Sequence, residues 1–152
     1  MATAAASVLA EPEKQLPALA PVQALCDSPD GITARLAMLT LLAVYKDIVP
    51  GYRVRLPTAQ EAAVPVSSEI RELRTYEANL LRSYQAYLQI LLRAVKAIEG
   101  ESVLAEAAGK RKAYEDKVAR ARAATQCLGQ LLNAHSHFNY TSGNRNNANT
   151  QS

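Results

Sequence analysis

Between residues 70 and 98 the chain places Ile70, Leu73, Glu77, Leu80, Tyr84, Tyr87, Leu91, Ala94 and Ile98 at alternating steps of three and four. That spacing returns each side chain to one side of a helix with 3.6 residues per turn, so one helix of roughly 45 Å is expected from a rise of 1.5 Å per residue. Only Glu77 interrupts the apolar seam. Leu81, Leu88, Leu92 and Val95 widen it beyond what a two-stranded coiled coil needs, giving a face broad enough to meet two neighbouring helices. The tyrosines are expected in the core with their hydroxyls at its rim. Ser67 or Ser68 can cap the start, with Glu69 and Glu72 suited to the positive end of the helix.

A helix this broad dictates what its neighbours must be. A second amphipathic pattern follows Gly100 through Val103, Ala107, Tyr114, Val118, Ala121, Thr125, Leu128 and Leu132, and the two long helices should pair antiparallel. Earlier, Ile32, Leu36, Leu39 and Ala43 fall on one face of a helix over 32–48, with Met38, Leu42 and Tyr45 beside it. Leu16, Leu19, Val22, Leu25 and Cys26 suggest a shorter helix, weakened by Pro17 and Pro21. Asp27-Ser28-Pro29-Asp30-Gly31 is dense in turn formers, so these two should form a hairpin. The expected fold is all-α, a set of antiparallel helical hairpins with disordered ends. It is helical-repeat-like without a fixed sequence period. In domain terms, residues 1–14 are expected to be disordered or frayed, 15–139 to form one helical domain, and 140–152 to be a disordered Asn-rich tail.

Composition narrows the classes. The 152 residues suit one domain, and although 49% are hydrophobic, no stretch approaches the roughly 20 uninterrupted apolar residues of a membrane span. The opening MATAAASVLAEPEK has no basic residue before its short apolar run, unlike a secretory or transit leader, so the expected setting is intracellular. Cys26 and Cys127 stand far apart, which gives neither a disulfide framework nor a CxxC knuckle, and both are expected to be buried apolar residues. A net charge of +3 does not by itself indicate nucleic-acid binding.

The helix over 32–48 ends on Pro50-Gly51, a strong turn signal that also disfavours helical geometry at Val49. The segment from Val49 to Val66, broken by Pro50, Pro57 and Pro65, is expected to be an extended loop. Such a loop is either functional or pinned by Tyr52 and Val54 as plain packing. Asp47, Pro50, Gly51, Tyr52, Arg53 and Arg55 form the candidate partner-contact surface. The two arginines can grip phosphate or carboxylate in a forked geometry, or instead bond loop carbonyls or Asp47.

The run YKDIVPGYRVR, Tyr45 to Arg55, resembles the signature of the nucleolar complex-associated protein 3 family. LRTYEANLLRSYQAYLQIL, Leu73 to Leu91, and CLGQLLNAHSHFN, Cys127 to Asn139, resemble it too, in family order and at roughly family spacing. The resemblance implies a nucleolar, nuclear protein acting in assembly and intranuclear transport of the large (60S) ribosomal subunit precursor. It also implies a partner from the same nucleolar complex group, and links to licensing of DNA replication and to chromatin. Family members continue after the HFN element into further helices and a larger domain, so this chain is expected to be a fragment or an alternative ending.

No catalytic motif is present. Glu115 and Asp116 are adjacent, so on a helix they point about 100° apart and do not converge on a substrate. His135, His137 and Cys127 lack zinc spacing, and His137 with Phe138 is expected to dock the end of the last helix. No GxGxxG, P-loop or GxSxG occurs, so a non-enzyme without cofactor, metal or small-molecule substrate is expected. The run Lys110 to Arg122 carries six basic and two acidic side chains. Its Lys110, Arg111, Lys112, Lys117, Arg120 and Arg122 are the candidate nucleic-acid contacts, the alternative being a solvated helix face with internal ion pairs. Three functional readings follow: a scaffold or adaptor, a direct RNA- or DNA-binding module, and an inert truncated product.

Overall fold

A computed structural model describes residues 1–52, 54, 56–98, 111–136 and 138. The described residues are helical throughout their regular structure. The helices are α1 (Ala2–Ala10), α2 (Pro12–Gln15), α3 (Leu19–Leu25) after a 3₁₀ turn at Leu16–Ala18, α4 (Gly31–Ile48), α5 (Ala59–Ala63), α6 (Ser68–Lys96) and α7 (Arg111–Ala134). The all-α expectation is met. Residues 2–10, expected to be frayed, are instead a helix that packs on α4 and α3 with Val8 fully buried. The reason lies in tertiary packing, because one buried valine and small alanines fit a close helix contact without needing a clear period. The expected tail, 140–152, lies outside the described residues.

Caps set the helix limits. Asp30 accepts a 2.8 Å hydrogen bond from the Thr33 amide at the start of α4, and Val49 is extended at φ −73°, ψ 121°, as the following proline requires. Ser67, the first of the two candidate serines, caps α6 through the Ile70 amide. Within the expected loop a short helix forms, α5. Thr58 and Glu61 cap it reciprocally, a local pairing that needs no hydrophobic period.

Three helices build the core. Residue pairs along α6 and α4 run in opposite directions, Ser83 with Tyr45 and Tyr87 with Met38, so these helices are antiparallel. Those along α7 and α4 run together, Cys127 with Met38 and Gln130 with Lys46, continuing from Arg120 on the Ser28 carbonyl of the turn before α4. α7 therefore lies parallel to α4, and it packs against both α4 and α6. Since α6 is antiparallel to α4, it is also antiparallel to α7, as expected.

The buried faces correct the expectation on three helices. On α4 the core side is Ala34, Ala37, Met38, Leu41, Leu42, Val44 and Tyr45, whereas Ile32, Leu36 and Leu39 are 62%, 50% and 40% exposed. The small residues Ala34 and Ala37, with Ala121 and Ala124 of α7 also buried, allow close helix approach, which fixes the face that bulkier residues would have claimed. On α6 the seam is buried from Leu80 to Ala94, but Ile70 and Leu73 are exposed. The cause is length: α6 has 29 residues against 18 for α4 and 24 for α7, so its first turns outrun them. On α7 the core residues are Ala121, Ala124, Cys127 and Leu131, with Leu132 exposed.

Tyr84 and Tyr87 of α6 are in the core together with Tyr45 of α4, and the Tyr87 hydroxyl lies deeper than the rim. Tyr87 donates to the Met38 carbonyl at 2.7 Å, and the Tyr45 hydroxyl meets Ser83 Oγ at 2.7 Å and Gln23 Nε2 at 2.8 Å. Tyr45 stacks on Tyr87 with centroids 5.1 Å apart, and Tyr84 meets both Tyr45 and Phe138 edge-on. Burial pushes the Tyr45 phenol up to about 12 and the Tyr87 phenol higher still. The cysteines are buried and free, and desolvation raises the Cys26 thiol to about 12.

Two outcomes follow. Tyr87→Phe should lower unfolding free energy by about 1–3 kcal/mol, the cost of removing a buried donor and leaving its acceptor short of a partner, measured by urea denaturation. Both thiols should resist iodoacetamide at pH 8 in the folded chain and react in urea, since the reacting form is the thiolate.

Candidate functional site

The joint after α4 is anchored from within and displayed outward. Val49 and Val54 are buried, holding the chain to the core on both sides of the turn, while Tyr52 between them is 58% exposed. The Tyr52 hydroxyl donates to Glu77 Oε1 at 3.1 Å. Glu77, the break in the α6 seam, is therefore the acceptor for the joint. Gly51 has open space around the position a Cβ would take, Pro50 is half-buried, and Asp47 is exposed. Arg53 and Arg55 lie outside the described residues. Packing and display thus coexist here: valines hold the segment, and Tyr52 faces solvent on a short tether.

The basic run divides by role. Arg120 is half-buried and its Nη2 donates to the Ser28 carbonyl at 2.7 Å, while its Nε has no partner among the described residues. Its guanidinium is thus turned in part onto the α3–α4 turn. Asp116 lies beside the same turn, 3.4 Å from where a Cβ on Gly31 would stand, near the positive end of α4. Arg111 pairs with Glu115 at 3.0 Å. Lys112, Lys117 and Arg122 are exposed, and Lys110 lies outside the described residues.

At the far end of α7, His135 is buried and Phe138 packs on Tyr84. The expected docking of the helix end is therefore made by Phe138 with His135, and His137 lies outside the described residues. Burial pushes the His135 imidazole below its ordinary value of 6.5, partly offset by the Tyr45 and Lys46 backbone carbonyls, with the Lys46 charge adding to the fall. Among the described residues no group of His, Cys, Asp and Glu gathers at metal-holding distance, and no helix is long and apolar enough to cross a membrane.

What sequence reasoning missed is the α4–α7 groove. It holds about 560 Å³ and is lined by Arg35 on α4 and by Val118, Arg122 and Gln126 among others on α7. Arg35 carried no signal of its own, being one charge in an apolar helix.

Residues 1–87, which include α1 to α6 as far as Tyr87 and hence the whole joint, match the family described as nucleolar complex-associated protein. The chain belongs to that family. A nucleolar complex-associated protein 3 of Arabidopsis thaliana is 37% identical over 133 residues, covering 88% of this chain and 14% of the relative. A nucleolar complex protein 3 homologue of Danio rerio is 32% identical over 144 residues, covering 92% and 18%. The Saccharomyces cerevisiae nucleolar complex-associated protein 3 is 31% identical over 130 residues, covering 86% and 18%. The chain thus spans less than a fifth of each of these relatives. Family membership makes it a nucleolar protein, and these relatives are named as nucleolar complex proteins.

Arg120→Ala should destabilise the chain by about 1–3 kcal/mol through the lost charged hydrogen bond, whereas Arg122→Ala should stay within about 0.5 kcal/mol. Denaturant midpoints distinguish them. The lowered His135 value means that the folded state favours neutral imidazole. Its contribution should be complete above pH 6.5 and be lost as pH falls through the folded value. Urea midpoints at pH 7.5, 6.5 and 5.5 should therefore fall with pH, and His135→Gln should flatten that fall.

Proposed function

We propose that the chain is a non-catalytic scaffold or adaptor module in assembly of the large ribosomal subunit and transport of its precursor. It engages another protein of the nucleolar complex group and, through it, pre-ribosomal particles. The observation that carries this reading is the joint Tyr45–Arg55: an exposed tyrosine held over a buried anchor, within the part of the chain that matches the family. Preorganised aromatic side chains of this kind are favoured contact points, because little conformational freedom is lost when a partner covers them. A role in replication licensing and chromatin binding is part of the same proposal, on the resemblance alone.

Direct RNA contact is the second reading, favoured by the exposure of Lys112, Lys117 and Arg122. Salt dependence separates the two, since each phosphate neutralised steepens the fall of affinity with salt. From nuclear extract, Tyr52→Ala should recover about tenfold less of the pre-ribosomal particles than the parent chain, with an unchanged circular dichroism spectrum, as for a contact worth about 1.4 kcal/mol. Equal recovery removes the joint as the contact surface. Binding of purified ribosomal RNA that collapses between 50 and 200 mM salt, on the scale of about 10³-fold, would favour the RNA reading. Recovery of no partner by the parent chain would point to the inert product.

A further inference from the structure

α4 exposes Ile32, Leu36 and Leu39 at positions i, i+4 and i+7, with the exposed Ala43 one turn further on. The stripe runs about 16 Å along the helix at 1.5 Å per residue. An apolar stripe at this spacing is the face that a second helix reads when it lies in a groove. Arg35 sits on the same side of α4, within 60° of Ile32 and 40° of Leu39 at about 100° per residue, and it lines the groove to α7 with Arg122. Arg35 lies close enough to Asp30 at the start of α4 to help hold that carboxyl low, no ion pair to Arg122 is seen among the described residues, and the acidic group in the groove, Glu115, is held by Arg111. The surface therefore combines three exposed aliphatic side chains with two guanidinium groups, one of them partly balanced by Asp30.

We infer that the exposed stripe of α4, with the groove to α7 along its edge, receives an amphipathic helix of a protein partner, about three turns long, apolar on one side and flanked by Asp or Glu. The aliphatic stripe buries the partner's leucine-type side chains, and Arg35 and Arg122 take its carboxylates as charge-assisted pairs. A second copy of this chain is a poor occupant, because a two-fold contact sets two patches carrying the same arginines against each other and supplies no added carboxylate flank. Nucleic acid is poorer still: Ile32, Leu36 and Leu39 offer no stacking face for bases. The inference rests on the scaffold reading in requiring a protein partner, but uses a surface apart from the joint.

The probe is a designed, labelled amphipathic helix with a leucine stripe and glutamate flanks, compared with the same helix carrying lysine flanks. Binding to the full chain is read by fluorescence anisotropy. The glutamate probe should bind at least about tenfold more tightly than the lysine probe, and Leu36→Glu, Leu39→Ser and Arg122→Glu should each weaken it by about that factor. The variants are at exposed positions, so circular dichroism should match the parent. Equal affinity for both probes, no measurable binding of either, or unchanged affinity in Leu36→Glu overturns the inference. So does a parent dimer in sedimentation that Leu36→Glu dissociates, which would make the second copy the occupant. Tyr52→Ala should leave probe binding intact, so a failed joint and a failed groove give different results.

Discussion

One carbonyl, that of Met38, is where the three main helices meet. Tyr87 of α6 donates to it at 2.7 Å and Cys127 of α7 approaches it at 4.0 Å, while α4 supplies it from mid-helix. A buried phenol must find an acceptor, and a helical carbonyl keeps a second lone pair available after its own helical bond. That requirement fixes the height of α6 against α4 and, through Cys127, the height of α7. The stacked Tyr45 and edge-on Tyr84 then fill the space around a bond already placed. Dispersion and burial supply most of the energy, but the hydrogen bond selects one register from several that burial alone would permit.

The sequence was most informative where polar and apolar residues divide clearly. On α6 the stretch from Leu80 to Ala94 is buried as its spacing implies, because its other side carries Arg82, Gln89 and Arg93 and leaves one orientation. α4 is different. Its residues are apolar nearly all round, GITARLAMLTLLAVYKDI, so periodicity does not distinguish its faces. The choice went to the side with Ala34 and Ala37, where a neighbour can come close. The same limit hid the exposed stripe of Ile32, Leu36 and Leu39, which reads in sequence as core.

The candidate residues show a related pattern. Pro50 and Gly51 were legible as a turn because backbone sterics act locally, and Val49 is extended as expected. The roles of Glu77 and Arg120 were not legible. One depends on a tyrosine 25 positions away and the other on a carbonyl 92 positions away, and local spacing carries no record of such partners. Charge that reads as a single basic run is thus divided between a tie to the α3–α4 turn and an exposed flank.

That Arg120–Ser28 tie has a consequence for synthesis. The α3–α4 turn emerges from the ribosome well before α7, and closing the long loop between them costs entropy that grows only slowly with length. Until α7 arrives, α4 lacks one of its two long neighbours and the carbonyl of Ser28 must be satisfied by water. The N-terminal helices thus wait, partly uncovered, for a late segment to complete them.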